Sequence, residues 1–355
     1  MRRSRSGRAE TGQDPRLPSR LPKAELHLHL DGSLRPGTLL ELARAEGVKL
    51  PTLDPEELAD HMVPEPGGTL ETYLERFELT LAVLQTRDGL SRAARELVVD
   101  AAAENVRYLE IRFCPALNTR RGLSLDAVLE AALEGAAAGT ASSGAEARFI
   151  VCGLRNLSPT LSVELAELAV AFRDRGVVAY DIAGGEAGNP VRDHAEAFTV
   201  AARGGLFRTV HAGEAWGPDS IRQALVEGRA QRIGHGTRLH EDPALMEVIR
   251  DQRIPLEICL TSNLQTGASR DYRTHPLRRY FDFGIPVSLN TDNRLMSGTT
   301  LSREFHHARV HQGFGDFELM RLARMGFEAA FLPWPEKAAL LAAVELELEG
   351  LAEGG

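Results

Sequence analysis

Thiols are scarce in this chain. Its 355 residues include three cysteines, Cys114, Cys152 and Cys259, far apart and with no Cys-x-x-Cys pair. That spacing argues against a disulfide framework and against a thiolate zinc site, and a reducing cytoplasm is the expected setting. No apolar run approaches the roughly 18 residues that span a bilayer, and the basic N-terminus has no apolar stretch behind it of the kind a secretory signal carries. Neither a membrane segment nor a leader is therefore expected. No Gly-x-Gly-x-x-Gly follows a candidate strand, which leaves a dinucleotide-binding sheet without support. Lysine is as scarce as cysteine, with only Lys23, Lys49 and Lys337. None stands where a carbamylated lysine would bridge two metals, so any metal chemistry is expected to use one ion, with Glu186 as the weaker candidate for binding a second.

What is present is a large, acidic, mostly apolar-cored chain. Hydrophobic residues make up 43% and charged residues 26%, with a net charge of −9. Over residues 1–20, six arginines face two carboxylates, so the body is more acidic than the total implies. The tail, rich in Ser, Gly and Pro and without apolar periodicity, is expected to be disordered. Residues 21–355 are expected to form one domain. An acidic body disfavours polyanionic partners, nucleic acid included.

Short apolar, β-branched runs near 24–30, 107–113, 147–154, 177–182, 206–211, 231–235, 255–260 and 286–291 alternate with helical stretches. Parallel strands need crossovers of a dozen residues or more, so this order predicts an α/β fold, a (β/α)8 TIM barrel, with a doubly wound sheet as the alternative. Roughly 75 residues separate the first strand from the second, far more than one crossover requires. Within them, Leu70-Glu71-Thr72-Tyr73-Leu74-Glu75-Arg76-Phe77 has apolar residues at helical spacing. On a barrel this insertion belongs over the C-terminal mouth, so the segment is expected either as a lid with an apolar underside or as a helix packed on the barrel.

Polar clusters fall at the carboxyl ends of the strands. In Glu25-Leu26-His27-Leu28-His29-Leu30-Asp31-Gly32, the period of two puts His27 and His29 on one face. The fourth strand ends in Asp181-Ile182-Ala183-Gly184-Gly185, the fifth in His211-Ala212-Gly213-Glu214, the sixth in His235-Gly236 and the eighth in Asp292-Asn293. Barrel active sites are assembled at that face. His27, His29, His211 and Asp292 make an N and O ligand set suited to one Zn2+ with a position left for water, and such a metal brings hydrolysis. Glu214, three residues past His211, is placed to donate a proton; His235, from the next strand, is placed to position or deprotonate the water.

With His-Leu-His-Leu-Asp-Gly-Ser at 27–33, Tyr-Leu-Glu-Ile-Arg-Phe at 108–113, Asp-Ile-Ala-Gly at 181–184, His-Ala-Gly-Glu at 211–214, Arg-Ile-Gly-His-Gly at 232–236 and Ser-Leu-Asn-Thr-Asp at 288–292, the chain resembles the adenosine deaminases of the amidohydrolase superfamily. The resemblance runs from Leu21 to the C-terminal helices. It implies conversion of adenosine and deoxyadenosine to inosine and deoxyinosine, with zinc on His27, His29, His211 and Asp292. Glu214 would protonate the purine N1, and His235 and Asp292 would orient the attacking water. The backbone N–H of Gly184 would reach N3 and Asp31 would hold the ribose 5′-hydroxyl. Tyr73, Leu74 and Phe77 would form the apolar wall, and Asn293 would contact N7. The His-x-Glu and Pro-Cys-x-x-Cys pattern of the other zinc deaminase design is absent.

Two departures from the family pattern stand out. Asn293 replaces a second aspartate, and its amide can donate to N7 at every pH, whereas a carboxyl must first be protonated. Gly185 replaces an acidic residue, which puts the rigidity of that loop in question. The competing expectations are a sibling enzyme acting on adenine, aminodeoxyfutalosine or a cytokinin, and an inactive zinc-binding relative serving as an interaction protein. Asp31 followed by Gly-Ser favours a nucleoside, and the presence of Glu214 and His235 favours an enzyme.

Overall fold

The structure, a computed structural model, describes residues 14–353. Eight parallel strands follow one another in chain order around a barrel: β1 (Lys23–His29), β2 (Val106–Phe113), β3 (Glu146–Leu154), β4 (Val177–Ala183), β5 (Phe207–Ala212), β6 (Arg232–His235), β7 (Leu256–Ile258) and β8 (Val287–Leu289). Closure comes from Asp292, which bridges to β1: its N–H donates to the His27 carbonyl at 3.0 Å and its carbonyl accepts from His29 at 2.8 Å. The expected barrel is therefore what forms. β7 and β8 are shorter than 255–260 and 286–291, because the chain leaves the ladder early. After Ile258 it turns into the helix Leu260–Gln265, which brings Ser262 and Asn263 to the mouth.

Alternation along the strands sorts the barrel into two faces. Leu26 and Leu28 of β1 and Leu109 and Ile111 of β2 point outward into the apolar layer beneath the helices, all fully buried. Inward-facing positions are charged, unlike the branched aliphatic filling usual in such barrels. Arg232 donates from Nε to Glu257 Oε1 at 2.7 Å and from Nη2 to Glu110. One layer higher, Arg112 donates to Asp181 Oδ2 at 2.8 Å and Glu257 Oε2 at 2.9 Å, and to the Leu26 carbonyl. Phe331 closes the bottom, its ring 3.5 Å below the Arg232 guanidinium and its N–H on Glu110 at 2.6 Å. Buried charges of this kind persist only when each has its partners.

Residues 14–20 correct one expectation. They were placed in a disordered tail, but they form a turn of helix, Leu17–Arg20, docked on the barrel. Leu17 and Leu21, four apart and so on one helical face, are 2% and 0% exposed, and the Lys23 ammonium donates to the carbonyls of Pro18 and Leu21. These apolar anchors outweigh the polar composition around them. The remainder of the expected tail lies outside the described residues.

The long insertion holds the helices Pro36–Glu46, Pro55–Met62, Leu70–Leu74, Phe77–Val83 and Arg87–Ala103. The last is the crossover helix; the pair Leu70–Leu74 and Phe77–Val83 lies over the mouth and presents Leu70, Tyr73, Leu74, Phe77 and Leu81 to a cavity. Of the two readings of this segment, the lid is the one that forms. Tyr73 anchors it through a 2.9 Å hydrogen bond between its hydroxyl and Ser297 Oγ.

Candidate active site

Under the lid, the mouth of the barrel encloses a cavity of about 230 Å³. His29, Asp31, Tyr73, Leu74, Phe77, Gly184, His211, Glu214, His235, Asp292 and Asn293 all line it. His27, the remaining residue singled out from the sequence, sits beneath the cavity floor, fully buried. Among the described residues, no lysine or arginine lines the cavity.

The imidazoles converge. His27, His211, His235 and Asp292 each offer an atom within 4.8 Å of the others. His29 joins from one side, its Nε2 3.2 Å from His211 Nε2 and 3.4 Å from Asp292 Oδ1. Behind the rings stand the core carboxylates. His27 Nδ1 lies 2.8 Å from Glu257 Oε2, and His211 Nδ1 lies 2.9 Å from Asp181 Oδ2. At His27 the carboxylate on Nδ1 fixes the proton there and leaves the Nε2 lone pair facing inward. Burial pushes His27 down to about 4, so the ring is neutral at pH 7. Its Nε2 is buried with no hydrogen-bond partner. Burial opposes ionisation of Asp292, but the imidazoles of His27, His235 and His29 that face it outweigh burial and hold the carboxyl far below the usual range. Ser262 Oγ donates to its Oδ2 at 2.6 Å.

His235 is set in the opposite tautomer. The Leu277 N–H donates to His275 Nδ1 at 3.1 Å, so His275 Nε2–H donates to Asn263 Oδ1, also at 3.1 Å. The Asn263 amide nitrogen therefore faces His235 Nδ1 at 3.1 Å as donor. A neutral His235 then carries its proton on Nε2, the atom directed at Glu214 Oε2 3.6 Å away. Glu214 accepts from Thr266 Oγ1 at 3.0 Å. Burial raises its pKa, with Asp292 and Glu186 adding to the effect against the opposing charge of His235. Such a shift favours the protonated form, the one that can give a proton. Burial pushes Asp31 up to about 7, and its Oδ1 meets no protein donor. His235 and Asp292 both adopt left-handed backbone, at φ +62° and +64°.

Glu186, the weaker candidate for a second metal, is engaged elsewhere. Rather than facing a second metal, its carboxylate accepts the backbone N–H groups of Gly213, Glu214, Ala215 and Trp216 at 2.6, 3.0, 2.6 and 2.9 Å. Those contacts fill its acceptors. In the loop that carries Gly185, the Asn189 amide donates to the Gly185 carbonyl at 3.0 Å. Asn293 packs so closely on Gly32 that a Cβ there would overlap Asn293 Oδ1. Gly32→Ala should push the amide into the cavity and raise KM about tenfold, the lower part of the usual 1–3 kcal/mol overpacking range, with kcat less affected. Steady-state kinetics check this, and an unchanged KM would show that Asn293 is not at the ligand.

Sequence reasoning did not find Arg112, Glu257, Asn263 and Ser262. For the first two a signal existed. Glu110 and Arg112 are charged at inward parity in β2, and Glu257 is the charged residue between Leu256 and Ile258 of β7. Asn263 and Ser262 lie on a helix with no strand-end signature.

A parallel eight-stranded barrel with converging imidazoles and a carboxylate at its C-terminal mouth, a cluster compatible with metal binding, defines the class, a hydrolase of the amidohydrolase kind. Comparison with known proteins narrows it. A family model described as adenosine deaminase matches residues 22–346. The adenosine deaminase of Mycobacterium avium (strain 104) is 42% identical over 340 residues, covering 90% of this chain and 93% of that protein. Among solved structures, the adenine deaminase of Arthrobacter aurescens superposes with a TM-score of 0.86 at 28% identity, covering 94% of this chain and 99% of that one. The Arabidopsis N6-mAMP deaminase gives 0.81 at 30% identity, covering 92% and 98%. The chain belongs to the adenosine deaminase family.

Proposed function

We propose that this chain hydrolyses the C6 amine of adenosine and 2′-deoxyadenosine, giving inosine or 2′-deoxyinosine and ammonia, with one zinc ion held by His27, His29, His211 and Asp292. The carrying observation is the meeting, in one lidded cavity, of an inward-facing imidazole and carboxylate cluster with a buried Glu214 whose pKa burial raises. The donor set fits a divalent metal: His27 Nε2 is an orphaned buried ring nitrogen whose other nitrogen is held by Glu257. Such an ion, when bound, supplies Lewis acidity that brings the pKa of a water from 15.7 to about 7.

The protein's own groups do the rest. Glu214 gives its proton to purine N1, which draws electrons from C6 and opens it to water. His235, presenting Nε2–H, and Asp292, presenting a carboxylate oxygen, orient that water. With its proton on Nε2, His235 positions the water rather than deprotonating it, and it is the imidazole of the cluster least suited to ligate. The Gly184 N–H meets N3, Asp31 meets the ribose 5′-hydroxyl, and Tyr73, Leu74 and Phe77 cover the base and keep bulk water out.

A cavity without lysine or arginine and with Asp31 in its wall disfavours a 5′-phosphate, which supports a nucleoside over a nucleotide. Three buried, unpaired cysteines support a reducing compartment, and among the described residues no helix is long and apolar enough to cross a membrane. The test is an ultraviolet assay with adenosine, deoxyadenosine, adenine, aminodeoxyfutalosine and N6-methyl-AMP, with and without chelator. Conversion of the two nucleosides that chelation abolishes supports the reading; preference for adenine or for a modified adenosine replaces it with the sibling activity.

Asn293→Asp adds a pH test. The amide donates to N7 at all pH values, whereas an aspartate donates only when protonated. KM of the variant should therefore rise as pH increases through that carboxyl's pKa, while the parent KM stays flat. Identical KM profiles would argue that residue 293 does not touch the base.

A further inference from the structure

We infer that Glu186 is a positioning residue for Glu214, the anchor that sets the proton donor's backbone through the four N–H groups of residues 213–216. The inference rests on the reading of Glu214 given above. Four successive amides turned onto one carboxylate make an anion-binding nest, here filled by the protein itself, with Glu186 2% exposed. The residues concerned connect β5 to the helix Pro218–Val226 and carry Glu214. Without an acceptor, those N–H groups would be buried and unsatisfied, and the loop would turn to recover them.

Arg155 completes the fastening from the opposite polarity. Its guanidinium donates to the carbonyls of His211 and Asn189, both at 2.6 Å. The loop after β4, which carries Gly184, is thereby tied to the loop after β5, which carries Glu214, by one anion on amides and one cation on carbonyls. Two contacts to the six-membered ring of a purine, Gly184 at N3 and Glu214 at N1 on either side of C2, are held at a set separation. A displacement of about 1 Å at a reacting group costs on the order of 10²-fold in rate, which is the size of effect expected when the anchor goes.

The test compares Glu186→Ala and Glu186→Gln with the parent enzyme. Glu186→Ala should lower kcat about 10²-fold, with KM within a few-fold and zinc affinity unchanged, and millimolar formate, filling the emptied nest, should restore part of kcat. Glu186→Gln keeps an acceptor oxygen and the side-chain shape, so it should fold where the alanine variant does not and should retain more turnover than that variant. Amide exchange of peptides covering residues 213–216 should quicken in both variants, a readout that needs no turnover. Parental kcat in both variants, or exchange unaltered in both, would overturn the inference; so would a fall in kcat matched by loss of zinc. If the parent enzyme leaves adenosine untouched while exchange quickens in the variants, the anchoring stands and the proposed activity fails.

Discussion

Glu214→Gln is expected to lower turnover of adenosine by about 10²- to 10⁴-fold, the usual worth of a positioned general acid, while leaving the metal content unchanged. The side chain is buried, hydrogen-bonded to Thr266 and raised in pKa chiefly by burial. The acid must be protonated to act, so kcat/KM of the parent should fall as pH rises through the Glu214 pKa. Glutamine keeps the shape and the Thr266 contact but has no proton to transfer, so this alkaline limb should vanish along with the rate. Metal analysis with a pH series checks both parts. A variant that loses zinc in proportion to activity would show Glu214 to be structural.

Arg112→Met has the other large effect, expected on stability and metal affinity together. Arg112 is the one cation that touches both Asp181 and Glu257, which stand behind His211 and His27. A methionine fills much of the volume but leaves buried Asp181 without its cation and Glu257 with Arg232 alone. Breaking a buried pair by removing one partner costs about 3–5 kcal/mol. Partners behind metal-binding histidines typically govern 10- to 100-fold in metal affinity. Chemical denaturation with and without zinc, and chelator competition, should find both losses. Arg112→Lys should not restore them, because an ammonium is a point charge and cannot span Asp181, Glu257 and the Leu26 carbonyl as a planar fork does. Parental values in either variant would mean the two carboxylates hold their histidines unaided.

The barrel was legible because its signals are local and repeated. Apolar runs, helical spacing and crossover length each act within a dozen residues, and eight repetitions left few alternatives. The mouth of the barrel was legible for the same reason: His27, His29, His211, His235 and Asp292 mark strand ends. Other contacts depend on which strands end up neighbours across the barrel. The Arg112 bridge spans residues 69 and 145 positions away, and nothing near Arg112 in the chain announces those partners. Glu186 shows the limit most clearly, since a carboxylate at a strand end reads as a metal ligand until its neighbours prove to be backbone N–H groups. At the N-terminus, composition suggested disorder, whereas Leu17 and Leu21 supplied enough apolar surface to dock residues 14–20.

The left-handed backbone at His235 and Asp292 has a consequence for anyone who engineers this scaffold. Each such conformation costs a non-glycine residue roughly 1–2 kcal/mol, and a glycine, after its own entropic penalty of roughly 0.5–1 kcal/mol, would recover part of that. Selection for heat resistance or soluble yield alone would thus favour glycine at position 235 and drift toward well-folded proteins that have lost the imidazole beside Glu214. A stabilising campaign on this barrel has to be scored on turnover from its first round.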